Sequence, residues 1–310
     1  MKQTQTTLSA IAWGLLGLLA LIWGASFMST RAALAEVGAL TTVAFRVGGG
    51  AALLWVFVAA TRLPVPKDAR TLAALLGMGI LNNAIPFSLI AWGQQHIASG
   101  LAGILNSATA LFTVLLVPLF FADERLTLRK LLGVILGFGG VAVIIGVTNL
   151  ALLNPRSLGR IAILGAAVSY ALSAIFGRKY LKGIRPEVSS AGMLSAAALI
   201  MIPAALLHDG MPALAYGPRT WAALAYLAFL ASALAYILYY LVLSHAGAGN
   251  LSLVTLMIPP IAVFLGALVY GEALPAQAFA GLAFLAAGLV IIDGRLGRLA
   301  FARRHPGKVS

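Results

Sequence analysis

Long apolar stretches separated by short polar segments run along the whole chain. Each stretch holds about 20 residues, the length that an α-helix needs to cross a bilayer. Charged residues, prolines or glycine clusters mark the breaks between them. The pattern therefore predicts ten transmembrane helices, at roughly 9–29, 38–60, 71–92, 97–121, 129–147, 158–178, 188–207, 220–243, 249–270 and 276–293.

Composition agrees with this pattern and narrows the protein class. Of the 310 residues, 61% are hydrophobic and 9% are charged, whereas a soluble domain has about 25% charged residues. Ten spans leave no length for a soluble domain. The absence of cysteine excludes disulfides and thiolate metal sites. We therefore expect an all-α integral membrane protein.

The distribution of basic residues predicts the orientation of the chain. Most of the 21 Lys and Arg residues fall in the segments that are cytoplasmic if both termini are inside. The opposite segments hold only Arg31, Arg156, Arg160 and Arg219. The net charge of +13 then reflects topology and attraction to lipid headgroups, and we expect no nucleic-acid partner. Cytoplasmic N and C termini and a bacterial inner-membrane location are predicted.

The two halves of the chain resemble each other. An ungapped offset of 148 residues places Glu124 on Glu272 and Gly133 on Gly281, among other matches. Because five is an odd number of spans, the second copy must enter the membrane in the opposite sense. We predict two inverted five-helix repeats, at 1–147 and 148–293, followed by a basic cytoplasmic tail at 294–310.

Short motifs in both halves resemble the EamA-type family of the drug/metabolite transporter superfamily. They include Trp23 to Phe27, the pair Phe45-Arg46, Ile258-Pro259, Gly271-Glu272 and Gly288. The resemblance extends from about Trp13 to Asp293. It implies alternating access around a central cavity between the repeats and export of amino acids or other metabolites. The aromatic content of the presumed cavity is most similar to that of aromatic amino acid exporters.

Polar and aromatic residues within the spans are the candidate substrate-binding residues, since such groups are costly in lipid unless they face the protein interior. They combine rings with hydrogen-bonding groups, as an amino acid ligand requires. These candidates are Trp23, Ser26, Arg46, Asn82, Ser88, Trp92, Asn106, Tyr170, Ser173, Tyr236, Tyr239, Tyr240 and Thr255. Pro86, Pro259 and Pro260 interrupt helical hydrogen bonding and are candidate hinges or gates.

Arg46 is the only basic residue well inside a span. It can attract a substrate carboxylate, or it can snorkel or pair with a buried carbonyl. Both interpretations stay open. For Asn82, contact with substrate and helix-to-helix hydrogen bonding are equally compatible with the sequence.

Acidic and histidine residues are all peripheral, which favours gradient-driven transport over tight proton coupling. Glu124 and Glu272 are expected to organise the turns before their following helices. No carboxylate cluster, nucleophile set or phosphate loop indicates an enzyme or a nucleotide-driven pump. We expect no cofactor and no metal. The predicted function is export of aromatic and other neutral amino acids by a monomer surrounded by lipid, with drugs or other small metabolites as the alternative substrates.

Overall fold

A computed structural model of the chain describes residues 9–145, 155–246, 251 and 253–293. This part of the chain contains ten long apolar helices. They are α1 (Ala10–Ala33), α2 (Ala39–Ala60), α3 (Ala69–Gln94), α4 (Ser99–Phe120), α5 (Leu128–Ile145), α6 (Pro155–Tyr180), α7 (Pro186–His208), α8 (Pro218–His245), α9 (Leu253–Tyr270) and α10 (Ala276–Asp293). The predicted all-α class and span count are confirmed.

Several helices begin at residues whose chemistry favours a start. The Ser9 hydroxyl accepts from the Ala12 N–H at the beginning of α1, and the Asp68 carboxylate does the same for Thr71 N at α3. Pro186 and Pro218 are the first residues of α7 and α8, where the missing proline N–H has no helical partner to lose.

Equivalent helices of the two halves make equivalent contacts. Helix α1 packs against α8 and α9, and its counterpart α6 packs against α3 and α4. Each of the pairs α2–α7 and α5–α10 joins a helix to its own counterpart in the other half. Such reciprocity is what a pseudo-two-fold axis between two inverted repeats requires.

Glycines at the α5–α10 contact show the same reciprocity. A Cβ atom at Gly133 would lie 2.6 Å from the Gly288 carbonyl oxygen, and one at Gly140 would lie 2.5 Å from that of Gly281. The offset of 148 pairs Gly133 with Gly281 and Gly140 with Gly288, so the two contacts exchange under the repeat symmetry. Small residues let the two backbones approach closely in a setting where lipid gives no hydrophobic drive for helix association.

Both halves also carry a π-helical segment near the middle of a span. In α3 it covers Ile80–Ala84, and in α8 it covers Tyr226–Leu234. Shifting the first segment by 148 residues places it inside the second. A π segment inserts a residue into the turn, rotates the following side chains and is frequent at functional sites. The sequence predicted a bend at Pro86, and the structure has this π segment immediately before it.

One further prediction about helix continuity differs from the structure. The fourth span was expected as one helix, but α4 is interrupted by a turn at Ser107 and Ala108. Helix α9 continues through Pro259 and Pro260; both prolines lack the N–H of a regular helix, and their role as a hinge or gate stays a prediction.

The boundary at 147/148 and the basic tail at 294–310 lie outside the described residues. Below, the side that the basic residues predict to be extracytoplasmic is called the outer side.

Candidate functional site

A chain of hydrogen bonds links three helices from both repeats near the middle of the spans. The Ser173 hydroxyl donates to Asn82 Oδ1 at 2.9 Å, and Asn82 Nδ2 donates to the Tyr236 hydroxyl at 2.9 Å. That hydroxyl in turn donates to Asn83 Oδ1 at 2.9 Å. The chain joins α6, α3 and α8, so it lies between the repeats and fixes which amide atom of each asparagine faces which partner.

The two π segments each expose a backbone carbonyl to a side chain of the opposite repeat. Ser169 of α6 donates to the Leu81 carbonyl at 2.7 Å, and the Trp23 indole of α1 donates to the Ala231 carbonyl at 3.3 Å. In π geometry the partner of Leu81 would be the N–H five residues later, and Pro86 has none. Side chains of neighbouring helices therefore satisfy carbonyls that have no water available in lipid.

Arg46 lies beside this network. Its side chain is buried, and its guanidinium carbon lies 3.7 Å from the centroid of the Phe87 ring. Its Nε donates to the Ser232 hydroxyl at 3.3 Å. Tyr170 and Tyr236 lie within electrostatic range of its charge. Because the guanidinium is held by an aromatic face and a serine deep in the protein, Arg46 does not snorkel to the membrane surface.

Aromatic residues extend the site towards the predicted cytoplasmic side. The rings of Trp23 and Tyr239 have centroids 6.0 Å apart, and those of Tyr239 and Tyr240 lie 5.1 Å apart, edge to face. Both distances are in the range of favourable ring pairs. Apolar rings thus adjoin the hydrogen-bonding groups, which is the combination that a zwitterion with an apolar side chain needs.

A cluster of contacts around Glu272 joins the outer ends of three helices. Glu272, in the turn after α9, accepts from Ser99 N at 2.9 Å, Ser99 Oγ at 2.7 Å and Gly100 N at 2.9 Å. It also pairs with Arg31, whose guanidinium packs over the Tyr270 ring. Glu272 therefore caps the N-terminus of α4. The expectation that it organises the turn before its own following helix was wrong, because the carboxylate points to the helix that packs against α9.

Two opposing effects act on the pKa of Glu272. Burial alone raises it, since only 4% of the side chain is exposed. The hydrogen bonds from Gly100 and Ser99 and the contact with Arg31 favour the charged form, and they outweigh burial. The pKa therefore lies below its usual range, and the carboxylate is ionised at neutral pH.

The counterpart cluster on the predicted cytoplasmic side is looser. Glu124 is paired with Glu272 by the repeat offset, but 39% of its side chain is exposed and its contacts with Lys130 and Arg178 are both 3.4 Å long. Arg178 also pairs with Asp123 at 2.5 Å. The two counterpart carboxylates thus differ: Glu272 is buried with short contacts, whereas Glu124 is partly exposed with longer ones.

An apolar pocket of about 480 Å³ lies elsewhere, between α2, α7 and α8. Phe45, Gly48, Ile202, Trp221 and Phe229 are among its lining residues. None of the four side chains of the hydrogen-bond chain contributes to it. It is therefore separate from the candidate site.

Comparison with known proteins identifies the family. The sequence model of the EamA-like transporter family matches the chain twice, at residues 8–146 and at residues 157–293. Each match contains one set of five helices. The chain belongs to the EamA-like transporter family. Two homologous halves, each spanning the membrane five times, account for the reciprocal packing described above.

Relatives of this EamA-like transporter are also membrane transporters by name. A "probable amino-acid metabolite efflux pump" of Salmonella typhimurium is 30% identical over 88% of this chain and 92% of its own length. A protein of the same name from Escherichia coli is 29% identical over 90% and 93%. The "uncharacterized inner membrane transporter YedA" of Escherichia coli is 25% identical over 93% and 92%.

One solved structure shares the fold of this EamA-like transporter, with a TM-score of 0.68 and 17% sequence identity over 93% of this chain and 99% of the other. Family membership and ten spans make the protein a multi-pass transporter of the bacterial inner membrane, and not an enzyme. Its surroundings are lipid and its ligand is a small molecule.

The structure brings together most of the predicted site residues of this EamA-like transporter. Arg46, Asn82, Tyr170, Ser173 and Tyr236 meet around the hydrogen-bond chain. Trp23, Tyr239 and Tyr240 form the adjoining aromatic group.

Other predicted residues make contacts outside the hydrogen-bond chain. Trp92 is 38% exposed and packs its ring against His96 near the outer end of α3. Ser88 donates to the Met201 sulfur, and Ser26 donates to the Trp23 carbonyl of its own helix. Thr255 lies in the first turn of α9.

Asn106 is the last residue of the first segment of α4, immediately before the turn that interrupts this helix. Its Oδ1 atom is buried without a hydrogen-bond partner. Broken helices at mid-depth recur at transporter binding sites, so the orphan acceptor keeps Asn106 among the candidates.

Four residues near the site are absent from the list of candidate substrate-binding residues: Asn83, Phe87, Ser169 and Ser232. Signals in the sequence pointed to three of them. Asn83 adjoins Asn82, and Ser232 lies one turn before Tyr236 on the same helix. Ser169 is a hydroxyl inside a span and adjoins Tyr170. Phe87 gave no signal, because its role depends on its contact with Arg46 of another helix.

Proposed function

We propose that this transporter exports amino acids, aromatic and other neutral ones, through a site between the two repeats. The observation that carries the proposal is the chain from Ser173 through Asn82 and Tyr236 to Asn83, with a buried arginine and aromatic rings beside it. Polar groups at this depth cost free energy when they are removed from water, and in transporters they mark the substrate path. The names of the two efflux-pump relatives support the same substrate class.

We also propose that transport proceeds by alternating access. The unequal clusters at the two ends support this mechanism: Glu272 holds the outer ends of α1, α4 and α9 together, whereas its counterpart Glu124 is half-exposed. In inverted repeats the two halves can exchange conformations. The exchange would tighten the inner cluster and release the outer one.

We further propose that movement follows the solute gradient. The acidic residues of the described chain lie in loops or at helix ends, and none lies at mid-span. A proton-coupled carrier usually holds such a group near the membrane centre. A functional monomer with both repeats in one chain remains our expectation.

The test is flux of labelled amino acids in liposomes containing the purified protein, with and without a pH gradient. We expect saturable movement of aromatic and neutral amino acids that ignores the gradient and falls at least about tenfold in Asn82→Leu. Thr113→Val is the matched control, since its hydroxyl bonds only to Thr109 in its own helix. Absence of amino acid flux would redirect the search to drugs or other metabolites, and strict dependence on the pH gradient would overturn the coupling proposal.

A further inference from the structure

Arg46 is a buried cation that has no acidic partner among the described residues. Its side chain is 8% exposed, and among the described residues it forms no ion pair. Its recorded bond is the one from Nε to Ser232. The terminal nitrogens of the guanidinium thus find no acceptor in this part of the chain, although a charged group in the interior is normally paired.

A second donor without a partner lies one helical turn from the ring on which Arg46 stacks. Asn83 is fully buried, and its Nδ2 atom has no hydrogen-bond partner. Because Tyr236 occupies Asn83 Oδ1, the amide cannot reverse to remove the deficit. Phe87, the residue on which Arg46 stacks, follows Asn83 by four positions on the same helix, and positions i and i+4 share one face.

The surroundings of Arg46 therefore offer positive charge and N–H donors, and no described acidic residue acts on its charge. The described acidic residues all lie in loops or at helix ends. The one near the aromatic group is Glu187, in the first turn of α7, which lies close to Tyr240. Guanidinium and amide N–H groups suit a carboxylate, which accepts several hydrogen bonds at once.

We propose that Arg46 and Asn83 form an anion site for the carboxylate of the transported solute, and that the carboxylate, rather than the amino group, is the feature a substrate must have. The inference rests on the proposed function and specifies which part of an amino acid is recognised. Deaminated carboxylic acids with the same side chain then belong to the substrate class, and amino acid amides do not.

The first experiment is competition against labelled phenylalanine in the liposome assay. The competitors are 3-phenylpropanoate, which lacks the amine, and phenylalaninamide, which lacks the carboxylate. We expect the acid to inhibit with a constant within about threefold of that of phenylalanine and the amide to be at least about tenfold weaker, since it forfeits a charge-assisted bond. An amide that competes as well as phenylalanine, or an acid that does not compete, would overturn the proposal.

In the second experiment a carboxylate is introduced into the proposed anion site by substitution. Asn83→Asp keeps the shape of the side chain and the oxygen that accepts from Tyr236. It places a negative charge one helical turn from Phe87, the ring on which Arg46 stacks. We expect it to weaken inhibition by the acid at least about tenfold and to leave the amide the better competitor. The control Gln94→Glu adds a carboxylate to another buried amide of α3, about 16 Å further along the helix axis. The same reversal in the control would contradict the assignment.

Direct binding separates failure of this inference from failure of the proposed function. If no amino acid is transported, the melting temperature of the purified protein is measured with 3-phenylpropanoate or phenylalaninamide. If 3-phenylpropanoate raises the melting temperature of the wild type but not that of Arg46→Gln, the anion site is supported whatever solute is transported. Stabilisation by the amide alone, or by neither compound, refutes it.

Discussion

The hydroxyl of Tyr236 joins the two repeats, and its removal is the sharpest test of the network. Tyr236→Phe leaves the ring in place and deletes one oxygen. That oxygen accepts from Asn82 and donates to Asn83, at 2.9 Å each. The change therefore leaves a buried donor and a buried acceptor without their partner.

The structure sets the expected magnitude. An interhelical hydrogen bond in a membrane protein contributes about 0.6 kcal/mol on average and about 1.7 kcal/mol at most. An unsatisfied buried polar group costs about 1–3 kcal/mol in general. Asn82 keeps a weak contact with the Met193 sulfur at 3.8 Å and its bond from Ser173, whereas Asn83 loses its recorded side-chain bond. We therefore expect Tyr236→Phe to lower the free energy of unfolding by about 1–3 kcal/mol.

The assay is unfolding in mixed micelles by titration with dodecyl sulfate, followed by circular dichroism. The matched control is Tyr270→Phe, whose hydroxyl makes a single long contact of 3.5 Å to the Met28 carbonyl and should change stability by less than about 0.5 kcal/mol. Equal effects of the two changes, or none from Tyr236→Phe, would refute the view that this hydroxyl holds the repeats together.

Three other predictions follow from the packing, the outer cluster and the charge distribution. Gly140→Ala should lower the free energy of unfolding by about 1–3 kcal/mol because its Cβ meets a backbone oxygen, whereas Gly139→Ala, with open space around it, should be neutral in the same titration. The pKa of Glu272 is lowered, so the stabilisation by this carboxylate is present above the ordinary value of 4.5 and is lost as the pH falls through the lowered pKa. Thermal unfolding of Glu272→Gln, measured against pH, should lack this loss of stability in acid. A pH profile unchanged from that of the wild type would contradict the role of the charge. Finally, a membrane-impermeant maleimide applied to intact spheroplasts should label Pro212→Cys, which is predicted to lie outside, and should reach Lys182→Cys only after permeabilisation. The labelling is specific because the chain has no other cysteine. The opposite result would reverse the predicted orientation.

Much of the fold could be predicted from the sequence because the bilayer sets the length and the apolar character that each span must have. Apolar runs of about 20 residues must be helices that cross it, since no other local structure satisfies their backbone groups in lipid. The repeat offset, given by matched pairs such as Gly133 with Gly281, predicted two related halves, and the equivalent helix contacts agree with it. Both inferences need only the order of residue types along the chain.

The sequence also indicated part of the candidate site, because polar residues inside apolar runs are conspicuous. It selected Arg46, Asn82 and Tyr236, which the structure brings together. It selected Trp92 by the same criterion, and that ring lies exposed near a helix end. The identity of a residue shows that it is unusual in a span but not which way the helix turns it.

What the sequence by itself determined is the class of the protein: an integral membrane chain of ten helices in two related halves. Only the tertiary structure decided which polar groups meet. The π segments in α3 and α8 rotate Asn83 and Ser232 relative to a regular helix, and Tyr236 reaches Asn83 across 153 positions of sequence. The same packing places Glu272 on the start of α4 and leaves Arg46 without an acidic partner in the part of the chain that the structure describes. Such contacts depend on how helices rotate and pack against one another, which the periodicity of each single helix does not specify.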